Sequence, residues 1–108
     1  MAQKEHKLRE VVRQLAALFF SRETPRRRSL LTVTDAEILS RGRRAVILIT
    51  VMPEAEEKAA LDFARRRLAD FRAFVHEHSR IVRLPFFEIR IDKGEKNRQR
   101  IDEIGKNM

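Results

Sequence analysis

The chain has no cysteine, no tryptophan and no tyrosine among its 108 residues. Lack of cysteine excludes a disulfide framework, a thiol nucleophile, an iron–sulfur cluster and a cysteine-bearing zinc finger. Its three glycines are dispersed, so no Gly-rich phosphate loop is present. No serine stands in a nucleophile elbow. No apolar run approaches the roughly 18 residues that a membrane span requires. The opening MAQKEHKLRE has no apolar stretch of the kind a secretory signal carries. These absences predict a soluble, cytoplasmic chain with no membrane partner. The length predicts one domain, and a hydrophobic fraction of 43% is too high for a disordered basic tail.

What is present is positive charge. Lys and Arg number 24 against 16 Asp and Glu, for a formal net charge of +8 and a pI near 11.0. Of the cations, 18 are arginine and 6 are lysine. The planar guanidinium fork suits phosphate and carboxylate oxygens. An Arg-rich, GC-rich genome would give the same bias, so position along the chain has to decide between the two explanations.

Residues 5–20 read as an amphipathic helix with Leu8, Val11, Val12, Leu15, Leu18 and Phe19 on its apolar face. Pro25 then marks a loop holding Arg22, Arg26, Arg27 and Arg28. Residues 30–39 and 45–52 read as two strands joined at Gly42 into a hairpin whose tip holds Arg41, Arg43 and Arg44. The second strand, AVILITVM, is nearly continuous in apolar residues and fits a central position covered on both faces. Pro53 fits the first position of a helix, and Glu54, Glu56 and Glu57 suit its positive end. That helix runs to about His78, with Leu61, Ala64, Leu68, Phe71 and Val75 on one stripe. Asp62–Arg66 and Arg66–Asp70 stand at i,i+4 spacing for ion pairs. Arg67 falls inside the apolar arc, which predicts a bend that would split the segment in two. Phe87, Ile89 and Ile91 alternate with Glu88, Arg90 and Asp92 as a half-exposed strand after Pro85. From Lys93 the chain is polar and reads as a tail, with Ile101 and Ile104 able to dock one helical turn. The order helix, strand, strand, helix (or two), strand describes an α+β layer with helices on one face of a small mixed sheet.

Catalytic chemistry has little support. His76-Glu77-His78 is the one cluster that resembles metal ligands, but i and i+2 positions point to different sides of a helix. A zinc helix would place histidines at i and i+4. A metal-dependent nuclease built on His76 and His78 is therefore the weaker alternative, and helix-end residues the stronger one. Asp35 and Glu37 share a strand face and read as solvent-facing. No cofactor is called for. A binding role has more support, because arginines gather in the 26–28 loop, the 41–44 turn and the 65–67/72 stretch, with Arg80 and Arg83 ahead of the last strand. Loops and element ends can converge on one surface, the electrostatic footprint of nucleic-acid binding. Absence of Tyr and Trp argues against a sheet of stacking aromatics. Phe86 is the one strand phenylalanine expected to be exposed, so contact is expected mainly with phosphate and sugar. About six arginines on phosphates would give a log K against log salt slope of roughly −4 to −5.

Several segments, in order, resemble the ribosome-binding factor A family. They are Val12-Arg-Gln-Leu15, the strand Leu31-Thr-Val-Thr-Asp-Ala-Glu-Ile closed by Ser40, the strand Arg44-Ala-Val-Ile-Leu-Ile-Thr-Val, and Phe71-Arg72 followed by Arg80-Ile-Val-Arg-Leu-Pro85-Phe-Phe-Glu-Ile-Arg-Ile-Asp92. The resemblance covers about Lys7 to Asp92. It implies a type II KH-like fold, helix-strand-strand-helix-(helix)-strand on a three-stranded mixed sheet, with residues 1–92 as the domain and 93–108 as the tail. It implies a kink between two helices, which by spacing falls on Arg67-Leu68-Ala69, although Arg and Ala stand where the family has Ala and Gly. It implies a non-enzymatic protein that binds the immature small (30S) ribosomal subunit and its 16S ribosomal RNA; the chain itself is expected to be a monomer. The expected phosphate contacts are Arg65, Arg66, Arg67 and Arg72 around the kink, with Arg80 and Arg83 close by, then Arg26, Arg27, Arg28, Arg43 and Arg44. A KH-like module for another RNA, or a basic domain that binds an acidic protein, remains open.

Overall fold

The computed structural model describes residues 2–23 and 29–106, and the side chains of 4–21 and 29–101. Helix α1 spans Ala2–Glu23, strand β1 Leu30–Leu39 and strand β2 Arg44–Met52. Helices α2 (Glu57–Arg66) and α3 (Leu68–His78) follow, then strand β3 (Phe86–Ile91) and helix α4 (Lys93–Lys106). The sheet order is β1-β2-β3, antiparallel on one side of β2 and parallel on the other. The α+β, KH-like arrangement expected from the sequence is thus present. The apolar run of β2 occupies the centre, as its composition requires.

One face of the sheet is packed by the helices. Ala45, Ile47, Ile49 and Val51 of β2 meet Val12, Ala16, Phe19 and Phe20 of α1, and Ala60, Ala64, Phe71 and Val75 of α2 and α3. Phe87 and Ile89 complete this core from β3. Phe71 is central: its ring centroid lies 5.5 Å from Phe19, 5.5 Å from Phe20 and 5.0 Å from Phe87. The buried stripe of α1 is rotated from the expected one. Phe20 and Ala16 are fully buried whereas Leu18 is exposed, because the helix packs chiefly across β1 rather than centrally on the sheet.

Four local departures are present. Pro53 is extended (φ −73°, ψ 160°) and precedes a 3-10 turn over Glu54–Glu56, so the α-helix begins only at Glu57. A β-bulge between Val33 and Asp35 leaves Thr34 over, and Asp35 is not simply solvated: Arg9 of α1 binds its carboxylate at 2.7 Å and also the carbonyl of Ala36 at 3.0 Å. The expected Asp62–Arg66 and Arg66–Asp70 pairs are absent. The break at Arg67 (φ −94°, ψ 2°) shifts the helical phase between Arg66 and Asp70, and Asp70 takes Arg67 at 2.8 Å; the missing Asp62–Arg66 pair lies within α2 and has no structural explanation. Finally, residues 93–106 form a full helix rather than one docked turn. Asp92 caps it by accepting the N–H of Glu95 at 3.0 Å, and Lys96 bridges Glu54 and Glu57 at 2.8 and 2.9 Å. No helix among the described residues is long and apolar enough to cross a membrane.

Candidate nucleic-acid interface

The hairpin tip sets the geometry. Ser40, Arg41 and Gly42 all have positive φ, at 53°, 57° and 88°, a left-handed turn for which only the glycine is suited. Arg43 closes the turn, its N–H donating to the carbonyl of Ser40 at 3.2 Å. The N–H of Phe86 then donates to the carbonyl of Arg43 at 2.8 Å, which ties the start of β3 to the tip. From the helical layer, Arg72 donates to the carbonyl of Pro85 at 2.8 Å. Three segments distant in sequence therefore meet at one end of the sheet.

Between them lies a concavity of about 870 Å³ lined by Arg41, Gly42, Arg43, Arg72, Arg83, Leu84 and Phe86. Among the described residues four guanidinium groups front it and no carboxylate does. Among the described residues none of these four arginines pairs with an acid. The nearby carboxylate of Glu88 is already engaged by Arg44 at 2.6 Å and Arg90 at 3.3 Å. Its pKa is held below the ordinary value, chiefly by the hydrogen bond from Arg44, so it stays ionised beside its own cations. The concavity thus keeps an uncompensated positive field, the condition for attracting a polyanion.

The other expected arginines are distributed differently. Arg65 reaches the carbonyl of Ile89 at 3.4 Å and fronts a second depression that also contains Glu37, Arg90 and Asp92. Arg66 is exposed next to the helix break and has no acid partner among the described residues. Arg67 is at the break and bound to Asp70. Arg80 borders an apolar groove against Lys4 and Lys7 of α1. Arg44 is bound by Glu88, and Arg26, Arg27 and Arg28 lie outside the described residues. Of the expected set, Arg43, Arg72 and Arg83 are brought together.

Two lining residues carried no assigned role in the sequence. Arg41 was visible as part of the tip, and the Arg-Gly-Arg spacing around a turn was the available signal. Phe86 was expected to be exposed and is, at 67%. His76 and His78 occupy the last turn of α3, where the His78 ring stacks on Phe74 with centroids 4.1 Å apart and its Nδ1 lies 2.8 Å from the Phe74 carbonyl. Among the described residues no group of three or more His, Asp or Glu side chains gathers as metal ligands would.

No family sequence profile matches the chain, and no curated protein sequence matches it significantly. Solved structures do. The crystal structure of ribosome-binding factor A from Thermus thermophilus superposes with a TM-score of 0.70 at 22% identity, covering 81% of this chain and 93% of that one. The solution NMR structure of a ribosome binding factor A candidate from Thermotoga maritima gives 0.60 at 20% identity, covering 86% and 87%. The chain therefore has the fold of ribosome-binding factor A, over nearly the whole length of those proteins.

Proposed function

We propose that this protein is a ribosome biogenesis factor, a cytoplasmic, non-enzymatic monomer that binds the immature 30S subunit and its 16S ribosomal RNA. The observation that carries the reading is the meeting of Arg41, Arg43, Arg72 and Arg83 around a concavity with no carboxylate among its described lining residues, on a fold shared with ribosome-binding factor A. Guanidinium groups without acid partners keep their charge and, apart from the Arg72 donors given to the Pro85 and Leu84 carbonyls, their N–H groups for phosphate oxygens. If only these four meet phosphates, log K falls with log salt at about −3 for a single strand. Arg66, Arg80 and the 26–28 loop are the proposed outer contacts, and each phosphate they add steepens that slope.

Sedimentation of lysate through a sucrose gradient tests the assignment. The protein is expected with small subunits at low salt and is expected to leave them as salt rises. Recovery only in the ribosome-free fraction would overturn it in favour of another RNA. Charge reversal at Arg72 and Arg83 together should release the protein from the subunit without unfolding it, since both side chains are exposed.

A further inference from the structure

We propose that the concavity takes an unpaired nucleotide of an RNA strand, with its base stacked on Phe86 and its flanking phosphates held by Arg41, Arg43, Arg72 and Arg83. This rests on the nucleic-acid reading above and specifies the form of RNA that the site accepts.

Strand alternation puts Phe86 on the face opposite the core, where it is 67% exposed while its neighbour Phe87 is 5% exposed. The other described aromatic contacts join Phe19, Phe20, Phe71, Phe74, Phe87 and His78, and Phe86 takes part in none of them. The backbone at this position is nonetheless fixed. Its own N–H is fixed to the Arg43 carbonyl, and the preceding Pro85 carbonyl is fixed by Arg72. The backbone that carries the ring is therefore held between two of the arginines that front the concavity, which leaves an exposed π-face at its edge.

The shape selects among polyanions. A volume of about 870 Å³ is enough for a nucleotide. In a duplex the base faces are covered by their neighbours and only edges and backbone are offered. An unpaired base offers a free face, and any of the four bases can stack because each has one. A peptide carboxylate could meet the arginines but would leave the ring uncovered. With one ring in the site, one base is recognised and no sequence is read.

The test uses a short single-stranded RNA carrying one 2-aminopurine and a blunt-ended RNA duplex with the same number of phosphates. The native protein should bind the single strand more tightly and quench the 2-aminopurine. Phe86→Leu should lower single-strand affinity by roughly five- to a hundredfold and remove the quenching, with duplex affinity and salt slope unchanged. Phe86→Tyr should behave as the native protein. If Phe86→Leu binds and quenches like the native protein while Arg72→Gln with Arg83→Gln weakens both RNAs, stacking is wrong and the wider nucleic-acid reading survives. If neither RNA binds, both fall. If polyglutamate of equal charge competes as well as the single strand, the site is one for acidic protein and the proposal is overturned.

Discussion

Arg72 and Pro85 are joined across the interface between the helical layer and the sheet: the guanidinium Nη1 donates to the Pro85 carbonyl at 2.8 Å. The bond draws a cation on the second half of the kinked helix to the loop that launches β3. It places Arg72 at the concavity and orders the segment that presents Arg83 and Phe86.

Arg72→Lys keeps the charge but loses the planar fork, and a flexible ammonium holds the carbonyl with less geometric constraint. Amide exchange in residues 83–86 should rise. RNA affinity should fall by more than the loss of nothing but a hydrogen bond would suggest, because the ordered start of β3 loosens too. Exchange unchanged from the native protein would show that the loop orders itself.

The left-handed turn separates charge from stability. Arg41 has φ 57° and ψ 41°, a conformation that costs an L-residue about 1–2 kcal/mol and a glycine none. Arg41→Gly removes that strain but loosens the unfolded chain by about 0.5–1 kcal/mol. Thermal stability should therefore be unchanged or slightly raised, while the salt slope of RNA binding shrinks by about 0.7. Gly42→Ala should instead destabilise by about 1 kcal/mol or more from its φ of +88°. Crowding contributes little there, since the nearest atom to an added Cβ is Leu8 Cδ2 at 3.8 Å.

Asp92 fastens α4 to the sheet. It accepts from the Glu95 N–H at 3.0 Å and the Thr34 hydroxyl at 2.6 Å. Burial acts to raise its pKa, but the Glu95 N–H, the Thr34 hydroxyl and the charge of Arg98 outweigh burial and hold it below the ordinary value. A depressed folded pKa means a stabilising contribution present above the unfolded value and lost as pH falls through the folded one. Glu54, lowered chiefly by Lys96 and then Arg100, acts in the same direction. Amide protection of α4 should thus be flat at neutral pH and fall in acid. Asp92→Ala should remove about 1 kcal/mol of helix capping at neutral pH and flatten that acid limb.

Phe71→Ala should cost about 3–5 kcal/mol by chemical denaturation. Its ring touches aromatic side chains from α1 and β3, so the cavity cannot be closed by movement of one element.

The elements were legible where one local pattern dominated. The unbroken apolar run of residues 45–52 placed β2 at the centre. The misfit of Arg67 within an otherwise apolar arc foretold the break between α2 and α3, since a charge inside a stripe either leaves it or bends it. The phase of α1 was less legible, because Leu18 and Phe20 have equal claims on an apolar face until the sheet chooses one. Helix α4 is not legible in the sequence, because its anchors, Glu54, Glu57 and Thr34, lie far from it along the chain.

The sequence by itself determined the charge, the alternation that exposes Phe86 and buries Phe87, and the helical stripes that build the core. These are properties of near neighbours, set by periods of two and of about 3.6 residues. Which arginines stand free and which are answered by acids was decided only in three dimensions. Coulomb interaction acts through distances that the chain's crossings create: Arg44 is neutralised by a residue on another strand, while Arg41 and Arg43, beside it in sequence, face Arg72 and Arg83 instead.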